Sequence, residues 1–281
     1  MVFEISHVTE YTYSDEVFFE PHFLRFKPKN TPYSYIKDFS IKIDPEPSGL
    51  SEQIDIENNH KLLCWIESTH YQLRITAKSF VEVREYNPFD FLVHPPEYLN
   101  IPFQYEMNTE QLLNPSLKTS TLPATLNDFI NELLLKSNHQ SITLLTELTK
   151  RIHEEFVLET RETGKPHNAG FTFEKKKGSC RDLAWMQIQM LRHIGIASRF
   201  VSGYYYIDNV NPEYELHAWV EAYLPGAGWI GFDPSHGILT NSYHIPVASS
   251  AFYENTMPIS GTVRGSAKAK MKNELQISLV P

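Results

Sequence analysis

The sequence contains little cysteine and no excess of basic residues. Its 281 residues include two cysteines, Cys64 and Cys180, which excludes a disulfide framework and favours a reducing compartment. Lys and Arg total 25 against 34 Asp and Glu, a formal net charge of −9. Because binding to phosphates requires a basic surface, we expect no nucleic-acid partner.

Long apolar runs are also missing. No stretch approaches the roughly 18 to 20 apolar residues that a membrane span needs. The first residues, MVFEISHVTEYTYSDEV, lack the basic start, apolar segment and cleavage site of a secretory signal. A hydrophobic content of 41% with 21% charged residues excludes a disordered chain. The sequence therefore predicts a soluble, cytoplasmic, globular protein with no membrane partner.

Two kinds of hydrophobic periodicity divide the chain. Period-two alternation predicts strands first, and a spacing of 3.6 residues later predicts helices, after which strands return. The predicted strands are 2–13, 35–43, 61–66, 71–84, 199–207, 217–224, 229–232 and a closing strand over 274–280, and the predicted helices are 125–136, 141–156 and 180–194. Residues 87–125 are proline-rich and 161–177 are polar, so both are predicted to be irregular. The prediction is an α+β protein with a β-sandwich domain over 1–107 and a second domain over 108–281 that includes the C-terminal strand.

Cys180 is the most informative residue. It follows a Gly-Ser turn and opens a predicted helix, where the helix dipole and free amides favour a thiolate. The lysines at 175–177 and Arg181 add positive charge to the same stretch. The alternative is a small buried cysteine beside a solvated basic surface.

A thiol nucleophile needs a base and a group that orients the base. His217 begins one predicted strand and Asp233 ends the next. A three-residue hairpin loop, pairing Leu224 with Gly228, places Asp233 on the face of His217, whereas a four-residue loop turns it to the other face. Position alone does not select His217, because the chain has twelve histidines.

Several blocks of the sequence carry a family resemblance. The blocks are 178–184 (GSCRDLA), 191–204 (LRHIGIASRFVSGY), 217–221 (HAWVE) and 228–234 (GWIGFDP), together with 5–13, 77–82 and 258–261. They resemble the core of the bacterial transglutaminase-like superfamily, preceded by the β-rich N-terminal domain of one bacterial branch. The resemblance implies a papain-like α+β core in which Cys180 is the nucleophile, His217 the base and Asp233 the orienting group. Ser179 and Arg181 depart from that branch beside the cysteine, as do Ser235 and His236 after the Asp-Pro pair.

The resemblance leaves the reaction open. A thioester acyl-enzyme formed on a peptide or side-chain amide can be released by water, as in a cysteine protease or amidase, or by an amine, as in a transglutaminase. Eukaryotic members use a tryptophan upstream of the nucleophile, and residues 66–179 contain none, which favours water. A non-catalytic binding module on the same fold is a further alternative. The expected partner is a peptide or protein substrate.

Supporting residues and metals complete the sequence prediction. The amide of Cys180 is a candidate oxyanion donor, Asp182 is expected to cap or brace the helix, and Trp219 is expected to form a groove wall or packing contact. His236 could extend the set toward a zinc site, but no Cys-x-x-Cys or His-Glu-x-x-His spacing is present. No metal or cofactor is predicted.

Overall fold

The computed structural model describes residues 1–161, 163–209 and 214–280. The helices of these residues are α1 (Met107–Leu117), α2 (Ala124–Lys136), α3 (Ser141–Glu155), α4 (Ala169–Lys175) and α5 (Cys180–His193), with two 3₁₀ turns at Pro96–Leu99 and Tyr253–Thr256. The strands are β1 (Val2–Phe19), β2 (His22–Leu24), β3 (Ser34–Asp44), β4 (Gly49–Ile54), β5 (His60–Trp65), β6 (Thr69–Val83), β7 (Val157–Leu158), β8 (Lys177–Gly178), β9 (Ser198–Tyr205), β10 (His217–Leu224), β11 (Gly228–Asp233), β12 (Ile238–Leu239), β13 (His244–Ser250), β14 (Ile259–Ser260), β15 (Val263–Arg264) and β16 (Ala269–Val280).

The N-terminal half is a sandwich of two antiparallel sheets. One sheet has the order β15-β1-β6-β3, with β16 also paired to β1, and the other has the order β14-β2-β5-β4. Alternate side chains of both sheets, among them Phe19, Leu24, Cys64 and Ile75, pack into one buried cluster. This is the burial pattern that period-two sequences produce. The predicted β-sandwich is confirmed.

The second half packs helices against an antiparallel sheet. The sheet has the order β12-β11-β10-β9-β13, and the buried face of α5 packs on β10 and β9. Helix α5 ends where Gly195 adopts a left-handed conformation (φ 85°), which lets the amide of Ile196 reach the carbonyl of Leu191. The α+β core and the helix beginning at Cys180 are therefore confirmed.

Two segments predicted to be irregular contain helices. Helix α1 lies in the proline-rich connector, buries only Leu113 and Ser116, and contains Pro115, so its sequence shows no sustained apolar period. Helix α4 lies in the polar 161–177 segment, where the side chain of Asn168 accepts a hydrogen bond from the amide of Gly170 and caps the helix. Both helices escape detection because one is weakly amphipathic and the other is very short.

The C-terminal strand lies in the N-terminal sheet. Strand β16 pairs with β1 at twelve positions, from Val2 opposite Val280 to Tyr13 opposite Ala269. The predicted closing strand thus exists, but it does not join the core sheet, which differs from its assignment to a 108–281 domain. Because β1 and β16 lie at opposite ends of the chain, no local sequence pattern predicts that they pair. The boundary near residue 107 stays a prediction.

The two halves share a buried interface. Phe3 and Ile5 of β1 pack with Tyr204 of β9 and Ile245 of β13 in one cluster. The ammonium of partly buried Lys29 also donates to the hydroxyl of Ser249, 2.9 Å away. These contacts hold the N-terminal sheet against strands β9 and β13 of the core.

Candidate active site

Cys180 is the first residue of α5, and the preceding turn is held by a capping box. The amide and hydroxyl of Ser179 donate to Oδ2 of Asp182 at 2.8 and 2.7 Å. The first amides of a helix have no acceptor within the helix. The backbone N–H of Cys180 therefore points out of the helix beside its own thiol, which is half-buried.

Asp182 braces this turn. Its carboxylate is fully buried, and its second oxygen, Oδ1, accepts from the guanidinium of Arg161 at 2.6 Å and from the amide of His167 at 2.7 Å. All of these partners donate hydrogen bonds, and an ionised carboxylate has enough acceptor sites on its two oxygens to accept all of them. The structure places Asp182 in a structural position beneath the nucleophile.

The hairpin of β10 and β11 brings His217 and Asp233 together. Leu224 pairs with Gly228, so the loop has three residues, which is the one of the two loop lengths that places Asp233 on the face of His217. Nε2 of His217 lies 2.7 Å from Oδ2 of Asp233. The carboxylate is fully buried and the imidazole nearly so. The strand pair thus positions the imidazole of His217 beside the buried carboxylate of Asp233.

The charges of this pair stabilise each other. Burial alone would lower the pKa of His217, but the charge and hydrogen bond of Asp233, with a contribution from Cys180, hold that pKa above its ordinary value. Burial alone would raise the pKa of Asp233, but His217 and the other histidine donors hold it well below its ordinary range. The arrangement favours an imidazolium beside a carboxylate.

The thiol of Cys180 lies beside this imidazole. Its Sγ is 4.0 Å from the carbonyl oxygen of Leu216, the residue before His217, and the thiol contributes to the raised pKa of His217. Because Nε2 of His217 is engaged by Asp233, Nδ1 is the ring nitrogen available to the thiol. The structure therefore brings together all three residues of the predicted Cys-His-Asp set.

Two further histidines surround Asp233. Nδ1 of His236 lies 2.8 Å from Oδ2 and Nε2 of His244 lies 3.1 Å from the same atom. The ring of Tyr205 packs against the rings of His217, His236 and His244. His244 comes from β13, and nothing in its sequence position links it to Asp233. His236 follows Asp233 by three residues, and this spacing is the signal that the sequence offers for it.

His244 is an orienting residue of fixed tautomer. An ionised carboxylate only accepts hydrogen bonds, so the proton of His244 is on Nε2, facing Asp233. Burial lowers the pKa of His244, so the ring is neutral and Nδ1 accepts from the amide of Asn241 at 3.1 Å. This hydrogen bond helps to fix the carboxylate that holds His217.

The lysines at 175–177 are predicted to add positive charge near Cys180, but their side chains make contacts elsewhere. The ammonium of Lys176 lies over the rings of Phe173 and Phe156 and pairs with Glu155, and Lys177 pairs with Glu159. Among the contacts of the described residues, none joins a lysine of 175–177 to Cys180. These side chains point elsewhere because aromatic rings and carboxylates offer them closer partners.

The remaining predicted residue, Trp219, is a packing residue. It is 2% exposed, and its ring centroid lies 6.0 Å from that of His217 and 5.3 Å from that of His244. Trp219 thereby limits the movement of both imidazoles from within the core.

The thiol opens into a cleft of about 740 Å³ between the two halves of the protein. Core residues, including Cys180, Arg181 and His217, line one side. Met271 and Leu275 of β16 line the other. A cleft of this size admits several residues of an extended peptide, and the N-terminal sheet contributes to its wall.

Family comparisons match the two halves separately. Residues 3–82 match the bacterial transglutaminase-like N-terminal region, and residues 131–234 match the transglutaminase-like superfamily. The core of this chain is thus similar to the transglutaminase-like superfamily. This confirms the family resemblance of the core, and the first match confirms that of the transglutaminase-like N-terminal domain.

Individual relatives cover different shares of the chain. An uncharacterised protein of Mycobacterium tuberculosis is 25% identical over 99% of this chain and 92% of its own length. A protein-glutamine gamma-glutamyltransferase of Pseudomonas aeruginosa is 29% identical over 37% of this chain and 17% of its own length. The crystal structure of a candidate cysteine protease from Cytophaga hutchinsonii superposes with a TM-score of 0.73 at 18% identity, covering 100% of this chain and 92% of that one. At this identity the superposition shows a shared fold.

Among the described residues, no helix is both long enough and apolar enough to cross a membrane.

Proposed function

We propose that this transglutaminase-like protein hydrolyses peptide or side-chain amide bonds through a thioester on Cys180. The observation that carries the proposal is the position of a helix-start thiol beside His217, which is itself held by buried Asp233. An imidazolium beside the thiol stabilises a thiolate, the reactive form of cysteine. The open side of Cys180 faces the cleft, where a substrate would bind.

Each step of the proposed reaction uses one of these groups. The thiolate attacks the amide carbonyl carbon, and the resulting oxyanion accepts a hydrogen bond from the Cys180 backbone N–H. His217 gives its proton to the leaving amine as the C–N bond breaks, which leaves a thioester. Water then attacks the thioester while His217 takes a proton from it, and the acid product leaves with the thiolate and imidazolium restored. Asp233 keeps the imidazole oriented throughout.

Transamidation is the second candidate, in which a lysine amine replaces water. The similarity to the Pseudomonas aeruginosa gamma-glutamyltransferase favours it, over 37% of the chain. The two candidates share every step up to the thioester, so they differ only in which nucleophile reaches it. We place hydrolysis first because the eukaryotic cross-linking enzymes use a tryptophan upstream of the nucleophile as an oxyanion donor. Residues 66–179 of this chain contain no tryptophan.

The experiment combines a peptide library with two cysteine variants. Cleaved or deamidated products are scored by mass spectrometry in the presence of a fluorescent primary amine. We expect hydrolysis by the wild type and a loss of at least about 10³-fold in Cys180→Ala. Cys64→Ala is the matched control, because Cys64 is buried within the sandwich, and it should retain activity.

Three outcomes separate the candidates. Release of acid products by the wild type supports hydrolysis, whereas stable incorporation of the amine into glutamine side chains assigns transamidation. Full activity in Cys180→Ala would contradict both. We propose a peptide or protein as the substrate and the cytoplasm as the location, and the library identifies the preferred sequence.

A further inference from the structure

The carboxylate of Asp233 is surrounded by more imidazoles than a Cys-His-Asp set uses. One oxygen, Oδ2, lies 2.7 Å from Nε2 of His217, 2.8 Å from Nδ1 of His236 and 3.1 Å from Nε2 of His244. An sp² oxygen has two lone pairs in its plane, so three N–H donors crowd it. His236 has no step in the proposed hydrolysis, which leaves its position to be explained.

We infer that His217, Asp233 and His236 form a binding site for a divalent transition-metal ion of the Zn²⁺ type. Their three ligand atoms lie within 4.8 Å of one another. Two imidazole nitrogens and a carboxylate oxygen are ligands that Zn²⁺ accepts, whereas Mg²⁺ and Ca²⁺ prefer oxygen alone. Three protein ligands leave a fourth position for water.

The geometry requires a small expansion. Zn²⁺ binds nitrogen and oxygen at roughly 2.0 to 2.2 Å, so tetrahedral neighbours stand about 3.3 Å apart. The His217 to Asp233 and His236 to Asp233 contacts are 2.7 and 2.8 Å. The metal would replace the protons of these hydrogen bonds and separate the ligand atoms by about half an ångström. The side chain of His236 is 32% exposed, which provides a path for the ion from solvent.

The surroundings provide the second layer of contacts that metal sites use. His244 keeps its proton toward Asp233 through its contact with Asn241, and the amide of Ser235 donates to Oδ1 at 2.9 Å. Both hold the carboxylate in place from outside the ligand set. Tyr205 covers the histidine rings on one side.

Binding of the metal would switch off the hydrolysis. The ion would take Nε2 of His217 and Oδ2 of Asp233, which removes the hydrogen bond that orients the base. This inhibitory consequence rests on the proposed function, but binding itself does not. The site differs from ordinary poisoning of cysteine enzymes because it does not use the thiol of Cys180.

The test measures affinity directly. Zn²⁺ is titrated into wild-type protein and into His236→Asn, Cys180→Ser and His193→Asn in competition with a chromophoric chelator at pH 7.5. His193 is the matched control, since it is a histidine outside the site that contacts Asn127. Loss of a second-layer contact alone costs 10- to 100-fold in metal affinity, so we expect His236→Asn to lose at least about 100-fold. Cys180→Ser and His193→Asn should match the wild type.

Cobalt provides a spectroscopic readout of the ligands. With Co²⁺ in place of Zn²⁺, we expect visible d–d bands without a thiolate-to-metal charge-transfer band. A charge-transfer band together with lost affinity in Cys180→Ser would assign the metal to the thiol and overturn the inference, as would unchanged affinity in a folded His236→Asn. Inactivity of the metal-free wild type on amide substrates would instead count against the proposed function and leave the binding result standing.

Discussion

At the scale of single residues, the protein concentrates ionisable groups at buried positions where each has a specific partner. Asp233 is ionised because histidines donate to it, and Asp182 occupies a similar position beneath Cys180 with a guanidinium and amides. A buried charge is tolerated only when its lone pairs are satisfied. The candidate site is therefore built from paired groups, and the thiol is the member that remains open to the cleft.

His7 gives a residue-scale prediction about pH. It is buried in β1, and its Nδ1 lies 3.1 Å from the hydroxyl of Tyr204. Burial lowers the pKa of His7 from 6.5 to about 4. Between those values the unfolded chain binds more protons than the folded one, so stability falls as the pH falls through this window.

The measurement is urea unfolding of wild type and His7→Gln at pH 7 and pH 5. Glutamine can keep a hydrogen bond to Tyr204 but does not titrate. From pH 7 to pH 5 the free energy of unfolding of the wild type should drop by about 2 kcal/mol more than that of His7→Gln. An equal drop in both proteins would show that His7 does not contribute.

At the scale of elements, the start of α5 determines where the thiol lies. Ser179 and Asp182 close the capping box, and the helix then runs through the centre of the core. The hairpin of β10 and β11 performs the corresponding task for His217 and Asp233, because its loop length sets the face on which Asp233 lies. A helix terminus and a hairpin register together align the candidate residues.

Replacing Ser179 tests the role of this helix start. Ser179→Ala removes the hydroxyl that donates to Asp182, which should cost about 1 kcal/mol of stability. The melting temperature should fall by about 2 °C, and kcat/KM should fall because the turn beneath Cys180 loosens. Ser40→Ala, at an exposed position of β3, is the control and should change neither quantity. If Ser179→Ala were destabilised but kept an unchanged kcat/KM, the cap would contribute to stability and not to catalysis.

The elements also show what the sequence can and cannot predict. The strands of the sandwich and the helix at Cys180 follow from local period. The sequence left two loop lengths open between Leu224 and Gly228, and the folded hairpin has the shorter one. Helix α4 and the pairing of β16 with β1 do not follow from local period, because one depends on a single cap and the other on strands at opposite ends of the chain. His244 was missed for the same reason, since its approach to Asp233 exists only in the folded sheet.

At the scale of the whole molecule, the N-terminal sheet and the core act as one unit around the cleft. Strand β16 pairs with β1, and both contribute residues to the cleft opposite Cys180. The N-terminal half is therefore expected to help select the substrate, in addition to stabilising the core through the interface of Phe3 and Tyr204.

Two substitutions on β16 test this expectation. Met271→Asp places a charge on the partly buried wall of the cleft, and Gln276→Asp adds the same charge to an exposed position outside it. We expect Met271→Asp to lower kcat/KM on the best library peptide about tenfold, or roughly 1.4 kcal/mol, mainly through KM. Gln276→Asp should have little effect. If the two substitutions changed kcat/KM equally, the wall formed by the N-terminal sheet would have no part in substrate binding.

Site-resolved alkylation measures whether His217 activates Cys180 as a nucleophile, and it requires no knowledge of the substrate. Wild type and His217→Gln are treated with iodoacetamide at pH 7, and the modification of each cysteine is followed by mass spectrometry. Cys64 is the internal control, because burial raises the pKa of its thiol and hides it from the reagent. We predict that Cys180 reacts at least about tenfold faster than a free thiol in the wild type, and that His217→Gln abolishes this advantage. A wild-type Cys180 that reacts no faster than a free thiol would overturn the proposed mechanism and favour a binding module on this fold.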